Sequence, residues 1–191
     1  MNGHWSDRLR ALDACEDGIE WACGYSDPQS AWNQCKRPDW MLWLLGRCAE
    51  AEDIVEIACR IAESVGHLVP AEEDRPRQAI AAARAWIADP CDRTALAALA
   101  ASDAASDAAG DAAGDAARNA ARHAALAARH AALAASDAAS DATSDAASDA
   151  ALDASDSASY AALAVNDAAL AARCDIIRTV VPHMSEIGVA A

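Results

Sequence analysis

Ala51-Glu52-Asp53-Ile54-Val55-Glu56-Ile57-Ala58-Cys59-Arg60-Ile61-Ala62-Glu63-Ser64-Val65-Gly66-His67-Leu68 decides the fold class. Its apolar residues Ile54, Ile57 with Ala58, Ile61, Val65 and Leu68 recur at intervals of three and four, while Glu52, Asp53, Glu56, Arg60 and Glu63 fall elsewhere around the turn. With about 3.6 residues per turn, that spacing gives a helix with one apolar stripe, punctuated at its end by Gly66 and Pro70. No useful length of the chain alternates apolar and polar residues with β-branched enrichment, so the expected fold is all-α.

Working outward from this helix, the same grammar repeats. Upstream, Ser6 is positioned to cap a helix carrying Leu9, Leu12, Ile19 and Cys23 and ending near Gly24. Asp27-Pro28 restarts a helix, with an oxygen to cap it and a proline that has no amide hydrogen to lose; Pro38 does the same for Trp40 to Leu45. Downstream, Glu72, Glu73 and Asp74 put negative charge at the start of a helix carrying Ile80, Trp86 and Ile87, which stops before Pro90.

From about Thr94 to Ala172 the composition shifts to an alanine-dominated tract with a cap at Asp92 or Thr94 and no proline before Pro182. Alanine has the strongest helix propensity, so helix is the expectation throughout. As one rod the tract would span about 120 Å; Gly110 and Gly114 are hinge positions that also allow a hairpin or bundle. Alanine pairs recur every four residues from Ala104 to Ala125 and aspartates do so from Asp103 to Asp115, stripes that wind right-handedly. From Ala124 to Ala138 the spacing alternates threes and fours, which a neighbouring helix can follow as a seam. Charge alternates too: Asp103 to Asp115 acidic, Arg118 to His130 basic, Asp137 to Asp156 acidic. The expected organisation is a compact tryptophan-containing helical bundle over 1–93, long alanine-rich helices over 94–175 and a C-terminal segment over 176–191.

The chain has 191 residues and a formal net charge of −15, which disfavours direct contact with nucleic acid or an anionic membrane and favours basic partners. Neither an N-terminal apolar stretch nor a membrane-length apolar run occurs, so a cytoplasmic protein is expected. Seven cysteines without a C-x-x-C pair read as small buried hydrophobes in a reducing compartment. His123 and His130 lie about 10 Å apart along one helix, too far to share a metal; no metal or cofactor is expected. No phosphate loop, dinucleotide fingerprint, zinc-protease or nucleophile-elbow motif is present, and no enzymatic activity is expected.

Two clusters carry recognition chemistry instead. Arg37, Asp39, Trp40, Trp43 and Arg47 combine indole faces, guanidiniums and a carboxylate, the groups enriched in binding hot spots, though the same tryptophans would serve as helical core with charges at the rim. Asp74, Arg75 and Arg77 sit at a helix start, where Asp74 can cap and the arginines can pair with neighbouring acids.

The run Glu73-Asp74-Arg75-Pro76-Arg77-Gln78-Ala79-Ile80, continuing to Arg84-Ala85-Trp86 and followed by alanine-rich helix with Ala-Ala-Arg-His-Ala-Ala, resembles a family assigned as immunity proteins of bacterial toxin systems. Ser30 to Cys35 and Asp39 to Arg47 are similar to phage and bacterial proteins with alanine-rich tails. The resemblance implies an all-helical protein that binds a protein partner, a toxin or a defence component, with no catalytic residues; the regular Ser-Asp tetrads depart from it. Set against this are two alternatives. Alanine seams could drive self-assembly into a homo-oligomer, and carboxylates about every 6 Å on a right-handed path could mimic a phosphate strand.

Overall fold

A computed structural model describes residues 4–111 and 167–185, with isolated helical positions at 119, 122 and 129. Every regular element among the described residues is helical, so the protein is all-α. In chain order they are α1 (Asp7–Ala11), α2 (Glu16–Cys23), α3 (Pro28–Gln34), α4 (Pro38–Cys48), α5 (Ala51–Val65) with a 3₁₀ turn over Gly66–Leu68, α6 (Arg75–Ala88), α7 (Asp92–Asp111) and α8 (Asp167–Val180).

α5 is the central element, and it is buried on more than one face. Ile57 and Ile61 belong to a first core cluster with Leu9, Ala22, Trp32, Met41, Leu42, Leu44 and Leu45, joined from the far end of the chain by Cys174, Ile177, Val181 and Met184. Val55, Cys59 and Ala62 face a second cluster, made with Ala79, Ala83 and Trp86 of α6 and Ala95, Ala98 and Ala105 of α7. The apolar stripe expected over Ile54 to Leu68 is therefore widened by Val55, Cys59 and Ala62, while Leu68 itself is exposed. Each fully buried isoleucine of α5 stabilises the fold by about 1.5–3 kcal/mol.

Local signals account for several boundaries. Asp27 caps α3, accepting the Ser30 N–H at 2.8 Å and the Ser30 hydroxyl at 2.7 Å. Pro28 and Pro38 sit in the first turns of α3 and α4. At the head of α7, the Thr94 hydroxyl donates to the carbonyls of Asp89 and Cys91 and accepts the Cys91 N–H, so Thr94 rather than Asp92 ties the entry turn. α7 packs on α6 through small side chains, Ala95, Ala98, Ser102 and Ala105, buried at intervals of three, four and three. That spacing follows a straight neighbour, unlike the period-four stripe further along. The charged positions Asp103, Asp107, Arg122 and Arg129 are exposed. The seams from Ala124 on, the acidic arm over Asp137 to Asp156, and His123 and His130 lie outside the described residues.

Three expectations are corrected. The single helix from Ser6 to Gly24 is two, because Asp13 takes a left-handed conformation (φ 61°) that ends α1. Ser6 makes no side-chain cap; it is fully buried and its hydroxyl bonds His4 Nδ1 at 2.8 Å and Cys23 Sγ at 3.2 Å. Asp74 also makes no backbone cap: its carboxylate takes the Arg77 and Gln78 side chains, and Glu73 accepts the Arg75 N–H at 3.1 Å. The cysteines, all free, divide by environment, with Cys35, Cys59 and Cys174 buried and Cys15 and Cys23 exposed.

Candidate binding cleft

The first core cluster is incompletely closed on one side, where α1 to α4 leave a cleft of about 460 Å³. Five indoles, Trp5, Trp21, Trp32, Trp40 and Trp43, line it. Each has a contact that places it. Trp5 is tied by its Nε1–H to the Tyr25 carbonyl at 2.9 Å. His4 reaches the same carbonyl through Nε2 at 3.1 Å; since a carbonyl only accepts, Nε2 carries the proton and Nδ1 accepts from Ser6, which in turn takes the Cys23 thiol hydrogen. This relay pins the first residues of the described chain against α2. Trp21 lies 5.8 Å from Trp40, ring centroid to centroid, and 4.8 Å from Tyr25, both tilted pairs of the favourable kind. Gly18 faces Trp40 with no side chain of its own; an added Cβ would sit 4.0 Å from the indole and 3.3 Å from Cys15 Sγ.

Trp32 forms the floor and is fixed from the opposite end of the sequence. Its Nε1–H donates to the Val181 carbonyl at 3.0 Å, and its own carbonyl accepts from Arg178 Nε at 3.2 Å. Arg178 also donates to the Cys35 carbonyl, so a guanidinium from α8 binds the carbonyls at the end of α3, of which that of Trp32 also accepts the Cys35 N–H at 3.3 Å, where the helix dipole favours positive charge. Gln29 completes the clasp, donating to the Pro182 carbonyl at 2.9 Å and accepting the Met184 N–H at 2.8 Å. Met184 thereby reaches the cleft lining.

The charged rim is built on α4. Arg37 is held bidentately by Asp39, at 2.9 Å and 2.5 Å, and its Cζ lies 4.5 Å from the Trp40 ring centroid. The Asp39 carboxylate raises the Arg37 pKa above its ordinary value. Arg47 lies 5.0 Å from the Trp43 centroid. Asp13, at its left-handed position, also lines the cleft. Burial pushes the Cys35 thiol pKa up, which keeps this lining residue protonated near neutrality.

Of the residues singled out in the sequence, Arg37, Asp39, Trp40 and Trp43 converge on this cleft, with Arg47 stacked behind Trp43. Asp74, Arg75 and Arg77 do not join them. They form a separate set of local pairs at the start of α6: Arg75 to Glu73 at 2.5 Å, Arg77 to Asp74 at 2.8 Å, and Arg77 to the Ala71 carbonyl at 2.8 Å. No family model, curated protein or solved structure matches the chain.

Sequence reasoning missed Trp5, Trp21, Trp32, Asp13 and Met184 as members of the cleft. The confinement of all six tryptophans to Trp5–Trp86 was the available signal for the first three. Nothing local marks Met184, which arrives through α8. Among the described residues no three His, Cys, Asp or Glu side chains converge as a metal site, and no helix is long and apolar enough to cross a membrane.

Proposed function

We propose that the protein is a non-catalytic binding protein that seats a segment of a protein partner in the tryptophan-walled cleft. The observation that carries this reading is the gathering of five of the six tryptophans around one apolar cavity with charged groups at its rim. Aromatic pockets of this size, rimmed by arginine and carboxylate, are the usual seats of anchor side chains in interfaces. The net charge of −15 supports a basic partner, drawn in by long-range attraction and oriented by the acidic helical surface. Together with the resemblance of Glu73 to Trp86, this supports an immunity or anti-defence role in the cytoplasm, neutralising a toxin or a host defence component, with no part for nucleic acid, membrane or cofactor.

Affinity capture from a bacterial lysate at low salt, run in parallel with the wild type and Trp43→Ala, tests it. The wild type retains a basic protein that Trp43→Ala loses while keeping its helical circular dichroism. Equal retention by both would remove the cleft from the account.

A second reading, self-association, is favoured by Leu96 and Leu99 on the outer face of α7, which are 67% and 44% exposed. Light-scattering mass that stays monomeric across a wide concentration range would dismiss it.

A further inference from the structure

We infer that the cleft selects a cationic side chain of its partner, a guanidinium or alkylammonium group, and that Asp13 is the residue that selects it. The inference rests on the cleft being the binding site and adds the chemistry of what enters. Indole faces attract cations through the negative face of the ring, and this protein already uses two of its cleft tryptophans that way, with Arg37 4.5 Å from Trp40 and Arg47 5.0 Å from Trp43. The charged residues that line the cleft are two carboxylates and one cation, Asp13, Asp39 and Arg37, while Arg47 stands behind Trp43 outside the lining. Arg37 and Asp39 neutralise each other through their bidentate pair. No hydrogen bond or ion pair to the Asp13 side chain occurs among the described residues, so its charge is the one left uncompensated at the mouth.

Asp13 is also an unusual residue for its place. The chain leaves α1 with the Asp13 N–H on the Arg10 carbonyl (3.1 Å) and the Ala14 N–H on the Leu9 carbonyl (3.0 Å), a helix ending that places a left-handed residue where glycine is ordinarily found. Asp13 held there lines a pocket of aromatic walls, in a molecule whose overall charge of −15 repels anions and concentrates cations. Cationic ends with an aliphatic stem, such as arginine and lysine side chains, match both the apolar wall and the charged mouth.

Indole emission of the full chain, titrated with Nα-acetyl-argininamide, Nα-acetyl-citrullinamide and Nα-acetyl-leucinamide, tests the inference. Citrulline has the shape of arginine without its charge. The arginine compound binds about tenfold more tightly than the citrulline one, and Asp13→Asn brings the two within about twofold. Asparagine accepts the left-handed conformation, so this variant keeps the turn while losing the charge. Equal affinity for arginine and citrulline compounds, or an arginine preference untouched by Asp13→Asn, overturns the inference; if the leucine compound still binds, the cleft survives as a neutral pocket. A complete lack of response to all three compounds overturns both this inference and the cleft as the binding site.

Discussion

Asp13 shows how much one residue can decide. A non-glycine residue at φ 61° costs about 1 kcal/mol, and Asp is among the few side chains that tolerate it. Asp13→Gly therefore raises the stability of the fold by about 0.5–1 kcal/mol in a denaturant melt while removing the free carboxylate of the cleft, a separation of stability from recognition. The carboxylates that cap and pair behave oppositely. Hydrogen bonds from Ser30 lower the Asp27 pKa, and Arg75 holds Glu73 at about 2, below its ordinary 4.5. Lowered values in the folded state mean that these contributions are present above the unfolded pKa and are lost as pH falls through the folded one. The melting temperature thus declines from about pH 4.5 towards 2, and Asp27→Asn, which keeps a capping oxygen without a titrating charge, flattens part of that decline. Burial pushes the Cys59 thiol to about 12 from 9.0, so stability present below pH 9 is lost on the alkaline side. Asp27-Pro28 was legible in the sequence because cap and helix are neighbours. The break at Asp13 was not, because aspartate, unlike glycine, does not announce a left-handed turn.

Among elements, α5 was the most legible and α8 the least. The three-and-four spacing of Ile54, Ile57 and Ile61 specifies a helix without reference to anything else in the chain. That Val55, Cys59 and Ala62 are buried as well depends on α6 and α7 arriving on another side, and small residues such as Ala58 and Ala62 look alike in a core and on a surface. The same ambiguity hid the seam between α6 and α7, where Ala79 and Ala83 meet Ala95 and Ala98. Arg84 ties α6 to α5 through Glu56 at 2.6 Å and Glu63 at 2.9 Å, partly exposed pairs that together add about 1 kcal/mol and weaken with salt. The clasp of α8 on α3 is different in kind. Arg178 closes the end of α3 through the Trp32 and Cys35 carbonyls, and charge-assisted bonds of this sort contribute about 1.5–3 kcal/mol. Arg178→Ala accordingly lowers the unfolding free energy by about 2 kcal/mol and, by loosening Trp32, shifts the indole emission to longer wavelength in the native state. An unchanged spectrum in a destabilised variant would detach the clasp from the cleft floor.

For the molecule as a whole, the far end of the sequence completes the core begun by the first helices. Cys174, Ile177, Val181 and Met184 pack with Leu9, Trp32 and Leu45, so the alanine-rich tract between α7 and α8 separates in sequence what is joined in space. Composition divided the chain at the edge of the tract; packing does not, because Ala95, Ala98 and Ala105 are already core. The cleft shares this non-local character. Arg37, Asp39, Trp40 and Trp43 stand close together in sequence and their chemistry was visible there, but the opposite wall, Trp5 and Trp21, and the contribution of Met184 exist only once α1, α2 and α8 have docked. Acidity acts at this scale too: with a net charge of −15, association with a basic partner slows as ionic strength rises past about 0.1 M, where screening reaches about 10 Å.

Hydroxyl-radical footprinting of the six tryptophans, in the full chain alone and bound to the basic protein it retains from lysate, tests the central claim that this cleft is where the protein meets its partner. The account predicts that Trp5, Trp21, Trp40 and Trp43, half-buried in the free chain, become protected on binding, while Trp86, buried between α5, α6 and α7, stays as it was. Unchanged reactivity of the four cleft indoles in the complex would contradict it.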